Sequence, residues 1–187
     1  MQQEKLRIAV VLGGNHSGRT GPVVSSWFLD RAASRDGVAV DVLDVAELDL
    51  GDGHGTSLES FSPRIEAADG FVVVTPEYNH GYPGPLKSAI DSARKEWFAK
   101  PVAFVSYGGM SGGLRAVEQL RSVFAELHVT SVRTSVSLHN AQRMFGAEGG
   151  PVDELRGAED AVEEMFDQLV WWALALREAR GRRPYPG

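Results

Sequence analysis

The chain has 187 residues, enough to close one sizeable core, with 43% hydrophobic and 24% charged residues and a formal net charge of −6. These values exclude a disordered chain and argue against a nucleic-acid partner, because proteins that bind nucleic acid normally carry a basic patch. There is no cysteine, so disulfides, thiolate metal sites and cysteine nucleophiles are excluded, and any redox chemistry needs a cofactor to carry the electrons.

Residues 1–11 run through Gln, Glu, Lys and Arg into a short apolar stretch, which is not the shape of a signal peptide. No apolar run reaches the roughly 20 residues that span a bilayer, so a cytoplasmic location with no membrane partner is expected. Residues 6–12, apolar except for Arg7, read as a strand buried on both faces and ending at Gly13-Gly14. A helix follows, with Pro22 near its start and Val23, Val24, Trp27, Phe28 and Ala32 on one face. Residues 38–45 alternate apolar and acidic residues, as a strand nearer the sheet edge does, and 51–60 form a polar loop. Residues 71–74 and 101–106 are two further apolar strands, and 129–138 give a fifth strand region.

Between these strands, Gly84-Pro85 opens a helix with Leu86, Ile90, Ala93 and Trp97 in one stripe. A later helix carries Leu114, Val117, Leu120, Phe124 and Leu127. Residues 153–180 form a long amphipathic helix, weakened early by Gly157, and 181–187 read as a loose end. Five alternations of strand and helix specify an α/β three-layer sandwich with a five-stranded parallel sheet, since each parallel connection needs a crossover. No domain break or repeat interrupts residues 1–187. In such a sheet, ligands bind beyond the carboxyl ends of the strands where the strand order reverses. The loops after the first, third and fourth strands therefore matter most.

The first loop, GGNHSGRTGP, has four glycines and leads into a helix N-terminus that aims free N–H groups at a ligand. With Gly14, Asn15, His16, Arg19, Thr20 and Gly21 it reads as a phosphate site. Two other readings stand beside it. Gly13 to Thr20 follow the spacing of a nucleotide hydrolase phosphate loop, but Arg19 stands where that loop requires lysine. The loop could also be a glycine-rich turn that only packs.

The second loop, TPEYNHGYPGP, places three prolines, two glycines and two tyrosines in eleven residues, so its backbone is stiff. It reads equally as a seat for a flat heterocycle or as a rigid turn packed on its neighbours. The third loop, SYGGMSGGLR, brings four glycines to the start of the next helix.

Residues 76–91, PEYNHGYPGPLKSAID, resemble the signature of the NAD(P)H-dependent FMN reductase family, which includes quinone, chromate and azo reductases. The third loop also resembles that family, and the likeness covers roughly residues 6–135. It implies a flavodoxin-like fold with strand order 2-1-3-4-5, FMN as cofactor, and NADPH or NADH as hydride donor. It further implies a small-molecule electron acceptor such as free flavin or a quinone, and assembly as a homodimer or homotetramer. By the resemblance, Pro76, Glu77, Tyr78 and Asn79 line the isoalloxazine ring, and Ser106, Tyr107, Gly108 and Gly109 approach its other edge. Gly112 and Arg115 lie where the nicotinamide cofactor's phosphates would bind, or Arg115 is a surface cation. The family presents Ser and Arg early in its phosphate loop; here Gly14 and His16 stand there, and Arg19 supplies the charge later. Flavin N5 carries the chemistry, so no catalytic side chain is expected, and the five histidines show no metal spacing. The rival readings are a flavodoxin-type electron carrier and the nucleotide hydrolase above.

Overall fold

In the computed structural model, which describes residues 5–14, 20–50, 56–57, 60–145 and 155–187, the first apolar run forms strand β1 (Leu6–Leu12), followed by helix α1 (Thr20–Ala33) and strand β2 (Val38–Asp44). Two short strands, β3 (Leu48–Asp49) and β4 (Thr56–Ser57), pair with each other in a small separate sheet. Helix α2 (Phe61–Ala67), strand β5 (Gly70–Pro76) and helix α3 (Gly84–Asp91) come next. Strand β6 (Pro101–Tyr107) and helix α4 (Leu114–Glu126) lead to strands β7 (Thr130–Ser131) and β8 (Val136–Leu138). A single-turn helix, α5 (Ala141–Met144), and the long helix α6 (Arg156–Arg182) complete the order.

The main sheet is parallel throughout, in the order β2-β1-β5-β6-β7, with β8 also on β6. In order of main-sheet position this is the expected 2-1-3-4-5 arrangement, with one difference. The fifth position is shared by two short strands because residues between them leave the ladder: the Thr134 N–H donates to the side chain of Gln168 on α6 (3.0 Å) instead of to β6.

Alternation along each central strand sorts the core into two layers. Ile8, Val10, Val72, Val74, Ala103 and Val105 face Val24, Phe28, Phe166 and Leu169 of α1 and α6. Ala9, Val11, Phe71, Val73, Val102 and Phe104 face Ile65, Leu86, Ile90, Leu120 and Phe124 of α2, α3 and α4. With both faces covered, β5 and β6 are buried along their whole length, which is why each reads as an unbroken apolar run.

Several expected boundaries shift. Helix α3 stops at Asp91, and Trp97 sits in a separate 3₁₀ turn, its Nε1–H donating to the Ile90 carbonyl and its ring wedged between Phe71 and Phe124. Helix α2 was not foreseen. Of the apolar residues expected on α4, Leu114 is exposed, whereas Ala116 is buried. The last helix reaches Arg182, and beyond it the Tyr185 ring lies edge-on to Phe98, 6.3 Å between centroids. No helix among the described residues is long and apolar enough to cross a membrane.

Candidate functional site

The register sets the carboxyl ends of the strands side by side: Leu12 beside Val74, Val74 beside Val105, and Val105 beside Val136. The chain leaves β1 for β2 on one side and later adds β5 on the other, so the strand order reverses between β1 and β5. A cleft of about 450 Å³ opens at this edge, within the range that holds a small-molecule ligand.

One wall of the cleft is Thr20 and Gly21, at the start of α1. A second is Pro76, Glu77 and Tyr78, and a third is Tyr107, Gly108 and Gly109. All three loops singled out from the sequence thus converge on one space. Gly14 lines an adjoining hollow that shares Gly21 and Tyr107 with the cleft. A Cβ at Gly14 would lie 2.7 Å from the Tyr107 hydroxyl, so only glycine lets the backbone pass this close to the phenol. Burial raises the Tyr107 phenol well above its ordinary pKa, with Tyr78 and Asp44 adding to the effect. It therefore stays protonated and keeps an O–H to donate. Asn15, His16 and Arg19 lie outside the described residues.

The second loop is stiffer than proline alone would make it. Tyr78 and Gly81 exchange both backbone hydrogen bonds (2.9 and 3.1 Å), while Asn79 and His80 between them have φ of +50° and +71°. These are the features of a two-residue type I′ hairpin, for which Asn is well suited. Asn79 sits in the turn and is exposed, so its contribution to the cleft is the shape it gives to Tyr78, not a lining side chain.

Glu77 fixes this hairpin to the third loop and α4. Its backbone N–H donates to the Tyr107 carbonyl (3.1 Å), and its carboxylate, only 4% exposed, accepts from the Arg115 backbone N–H (3.2 Å) and pairs with the Arg115 guanidinium. Burial pushes the Glu77 carboxyl upward, but the hydrogen bonds from Ser111 and Arg115 outweigh it and hold the group below the ordinary carboxylate range. Arg115 Nη1 also donates to His80 Nε2 (2.9 Å), and Gln119 Nε2 donates to the His80 carbonyl (2.8 Å). Arg115, read from the sequence as a phosphate ligand or a surface cation, is placed here as a clamp between α4 and the second loop.

Ser106 and Gly112, expected at the flavin and nucleotide, stand behind the cleft wall. Ser106 is fully buried, and its hydroxyl donates to the Gly112 carbonyl (2.8 Å), which also accepts from Ser137 (2.9 Å). Their contacts shape the third loop. Sequence reasoning missed Asn140, Gln142 and Arg143, which line the cleft from the segment after β8. Loop and segment are tied by Asn140 N–H to the Gly109 carbonyl (2.7 Å) and Ala141 N–H to the Gly108 carbonyl (3.0 Å). Met144, next to Arg143, is buried in the core.

An open, doubly covered parallel sheet with a loop-built cleft at its switch point defines the flavodoxin-like class of ligand-binding α/β proteins. Within that class, residues 6–143 match the family model described as NADPH-dependent FMN reductase, and the chain belongs to this family. It is 31% identical over 182 residues to an NAD(P)H-dependent FMN reductase of Schizosaccharomyces pombe, covering 86% of this chain and 90% of the relative. It is 30% identical over 188 residues to a probable NADPH:quinone oxidoreductase of Oryza sativa, covering 92% and 90%. Among solved structures, the NAD(P)H:acceptor oxidoreductase FerB of Paracoccus denitrificans superposes with a TM-score of 0.69 at 23% identity over 89% of this chain and 98% of that one. At that identity the superposition shows the fold.

Proposed function

We propose that this chain binds FMN in the cleft described above, reduces it with NADPH or NADH, and delivers the electrons to a small acceptor such as free flavin or a quinone. The observation that carries this reading is the convergence of Thr20-Gly21, residues 76–78 and residues 107–109 on one cleft at the strand-order reversal. The residues fit a phosphorylated ring system. Gly109 has open space where a Cβ would stand, and among the described residues its N–H makes no hydrogen bond, so a donor is left for a ring edge. When bound, FMN would supply hydride acceptance and two-electron delivery.

What the chain contributes is position and electrostatics. The N-terminus of α1, with Gly14, Thr20, Gly21 and the Asn15, His16 and Arg19 of the same loop, would take the flavin phosphate. The hairpin at Glu77–Tyr78 and the Gly108-Gly109 edge would hold the ring between stiff backbone walls, with Tyr78 offering an aromatic face. Backbone N–H groups along these walls favour negative charge developing on the ring edge they face. The Tyr107 hydroxyl adds a neutral donor between ring and phosphate regions.

Relatives of this chain are named as FMN reductases and as quinone oxidoreductases, which supports the acceptor classes proposed. The chain would act in the cytoplasm, as one FMN-binding domain, and as a dimer or tetramer. The exposed, edge-packed pair Trp171 and Trp172 on α6 (63% and 37% exposed) supports a subunit contact there. The test is direct. Purified protein should bind FMN and oxidise NADPH or NADH when a quinone or free flavin is added. Flavin binding without nucleotide oxidation would make it an electron carrier, and ATP hydrolysis without flavin binding would sink the proposal. Light scattering of the wild type and a Trp171→Ala, Trp172→Ala double variant tests the assembly.

A further inference from the structure

Helix α5 is too short to hold its own geometry, yet it is firmly placed. Ala141 and Met144, three residues apart, are buried in the core layer under α1 and α6. Two backbone hydrogen bonds bind Asn140 and Ala141 to the Gly108-Gly109 edge of the cleft. This anchoring turns the two residues between the buried pair, Gln142 and Arg143, outward and onto the cleft wall.

Arg143 is the only cationic side chain among the described residues that line the cleft. The one acidic residue there, Glu77, is already neutralised by Arg115. Among the described residues Arg143 has no carboxylate partner. In an acidic chain, a positioned guanidinium facing an otherwise neutral cleft creates a local preference for an anionic ligand group. Thr20 and Gly21 line the same cleft, so the positive end of the α1 dipole adds to that preference.

We infer that Arg143, flanked by the amides of Asn140 and Gln142, is a specificity-determining residue that receives a phosphoryl group of a nucleotide bound in this cleft. The inference rests on the proposed function and extends it to a segment no motif marks. A guanidinium fork matches phosphate in two-point contact, and neutral amides complete such a site without competing for charge. Two ligands carry this chemistry: FMN through its 5′-phosphate, and the pyridine nucleotide through its own phosphates.

The test uses the full chain, stripped of flavin, as wild type, Arg143→Ala and Arg143→Lys. Circular dichroism confirms folding, which an exposed position should leave intact. Fluorescence titration gives the dissociation constants for FMN and for riboflavin, which lacks the phosphate. Steady-state kinetics on FMN-saturated protein gives KM and kcat for NADPH and NADH.

If Arg143 receives the flavin phosphate, Arg143→Ala weakens FMN binding about tenfold and leaves riboflavin binding unchanged. If it receives the pyridine nucleotide, FMN binding is unchanged, while KM for the nucleotide rises about tenfold with kcat retained. In both cases Arg143→Lys recovers part of the loss, and added salt narrows the gap between wild type and Arg143→Ala. Equal dissociation constants and KM values in wild type and Arg143→Ala overturn the inference. Failure of the underlying function looks different: the wild type itself would bind no flavin and oxidise no nucleotide.

Discussion

The clamp between Glu77 and Arg115 offers the sharpest test of how the cleft is held. Replacing Arg115 with Ala removes the guanidinium from a carboxylate that is 4% exposed, while the backbone N–H of residue 115 and the Ser111 hydroxyl remain to satisfy it. Hydrogen bonds to a charged group contribute about 1.5–3 kcal/mol each. Arg115 is 44% exposed, so water recovers part of that, and a net loss of about 1–2 kcal/mol is expected. The loss falls on the hairpin that walls the cleft, since Arg115 also holds His80. FMN affinity should therefore drop about fivefold to thirtyfold. Urea unfolding measures the stability change, and fluorescence titration of flavin-free protein measures the affinity. Arg115→Lys should recover less than half of the binding, because an ammonium cannot bridge Glu77 and His80 as the fork does. A variant that loses stability but binds FMN like wild type would refute the reasoning, because the clamp would then hold the fold and not the cleft. The pH dependence follows from the same pair. Glu77 has a folded pKa below its ordinary value of 4.5, so its stabilisation is complete above that value and is lost as pH falls through the lower folded pKa. Glu77→Gln should flatten that acid limb.

Other outcomes are expected elsewhere in the molecule. Gly113 has φ of +87°, and an added Cβ would lie 2.6 Å from the Ser106 Cβ, so Gly113→Ala should destabilise the chain by at least about 2 kcal/mol in urea unfolding. Ser106→Ala removes one buried donor from the Gly112 carbonyl, which keeps its bond from Ser137; a loss of about 1 kcal/mol is expected by the same measurement. Lys100 lies buried at the opposite end of the sheet, its ammonium donating to the carbonyls of Ile65 and Glu66 (both 2.8 Å). Burial, with Arg180 nearby, pushes its pKa down from 10.5 to about 8, against the opposing pull of Glu66, Asp69 and Glu96. The unfolded chain thus holds a proton that the folded chain releases, and stability should rise between pH 8 and 10, by about 2 kcal/mol from this group. Melting temperatures of wild type and Lys100→Met across that range check it: the rise should shrink in the variant.

The parts of this molecule that were legible in the sequence are those whose cause is local. The runs at Ile8–Val11, Phe71–Val74 and Val102–Val105 announce strands covered on both faces because burial on two sides demands it of every residue. The three loops were legible because their glycines free the backbone and their prolines fix it where they stand. What escaped has a cause far away in the chain. Glu77 and Arg115 are 38 residues apart, and nothing in either neighbourhood shows that α4 delivers one to the other. The break between β7 and β8 depends on Gln168, 34 residues beyond Thr134. Trp97 lies outside α3, and its partners there, Phe71 and Phe124, come from other elements of the chain.

Arg143 is the intermediate case. The spacing of Ala141 and Met144 hints at one anchored turn, but only the bonds to Gly108 and Gly109 make that turn a wall of the cleft. This division has a consequence for substitution experiments. If backbone supplies most of the cleft, deleting any one lining side chain should lower activity by degrees and not abolish it. Supports that no ligand need touch, such as Gly113 and Arg115, should show losses of similar size. Tyr78→Ala should accordingly weaken FMN binding by only about 1–3 kcal/mol, the contribution of one aromatic face to a bound ring, with residual turnover at saturating FMN. Complete loss of turnover in a folded, FMN-saturated Tyr78→Ala protein would show that a side chain, and not the backbone frame, carries the reaction.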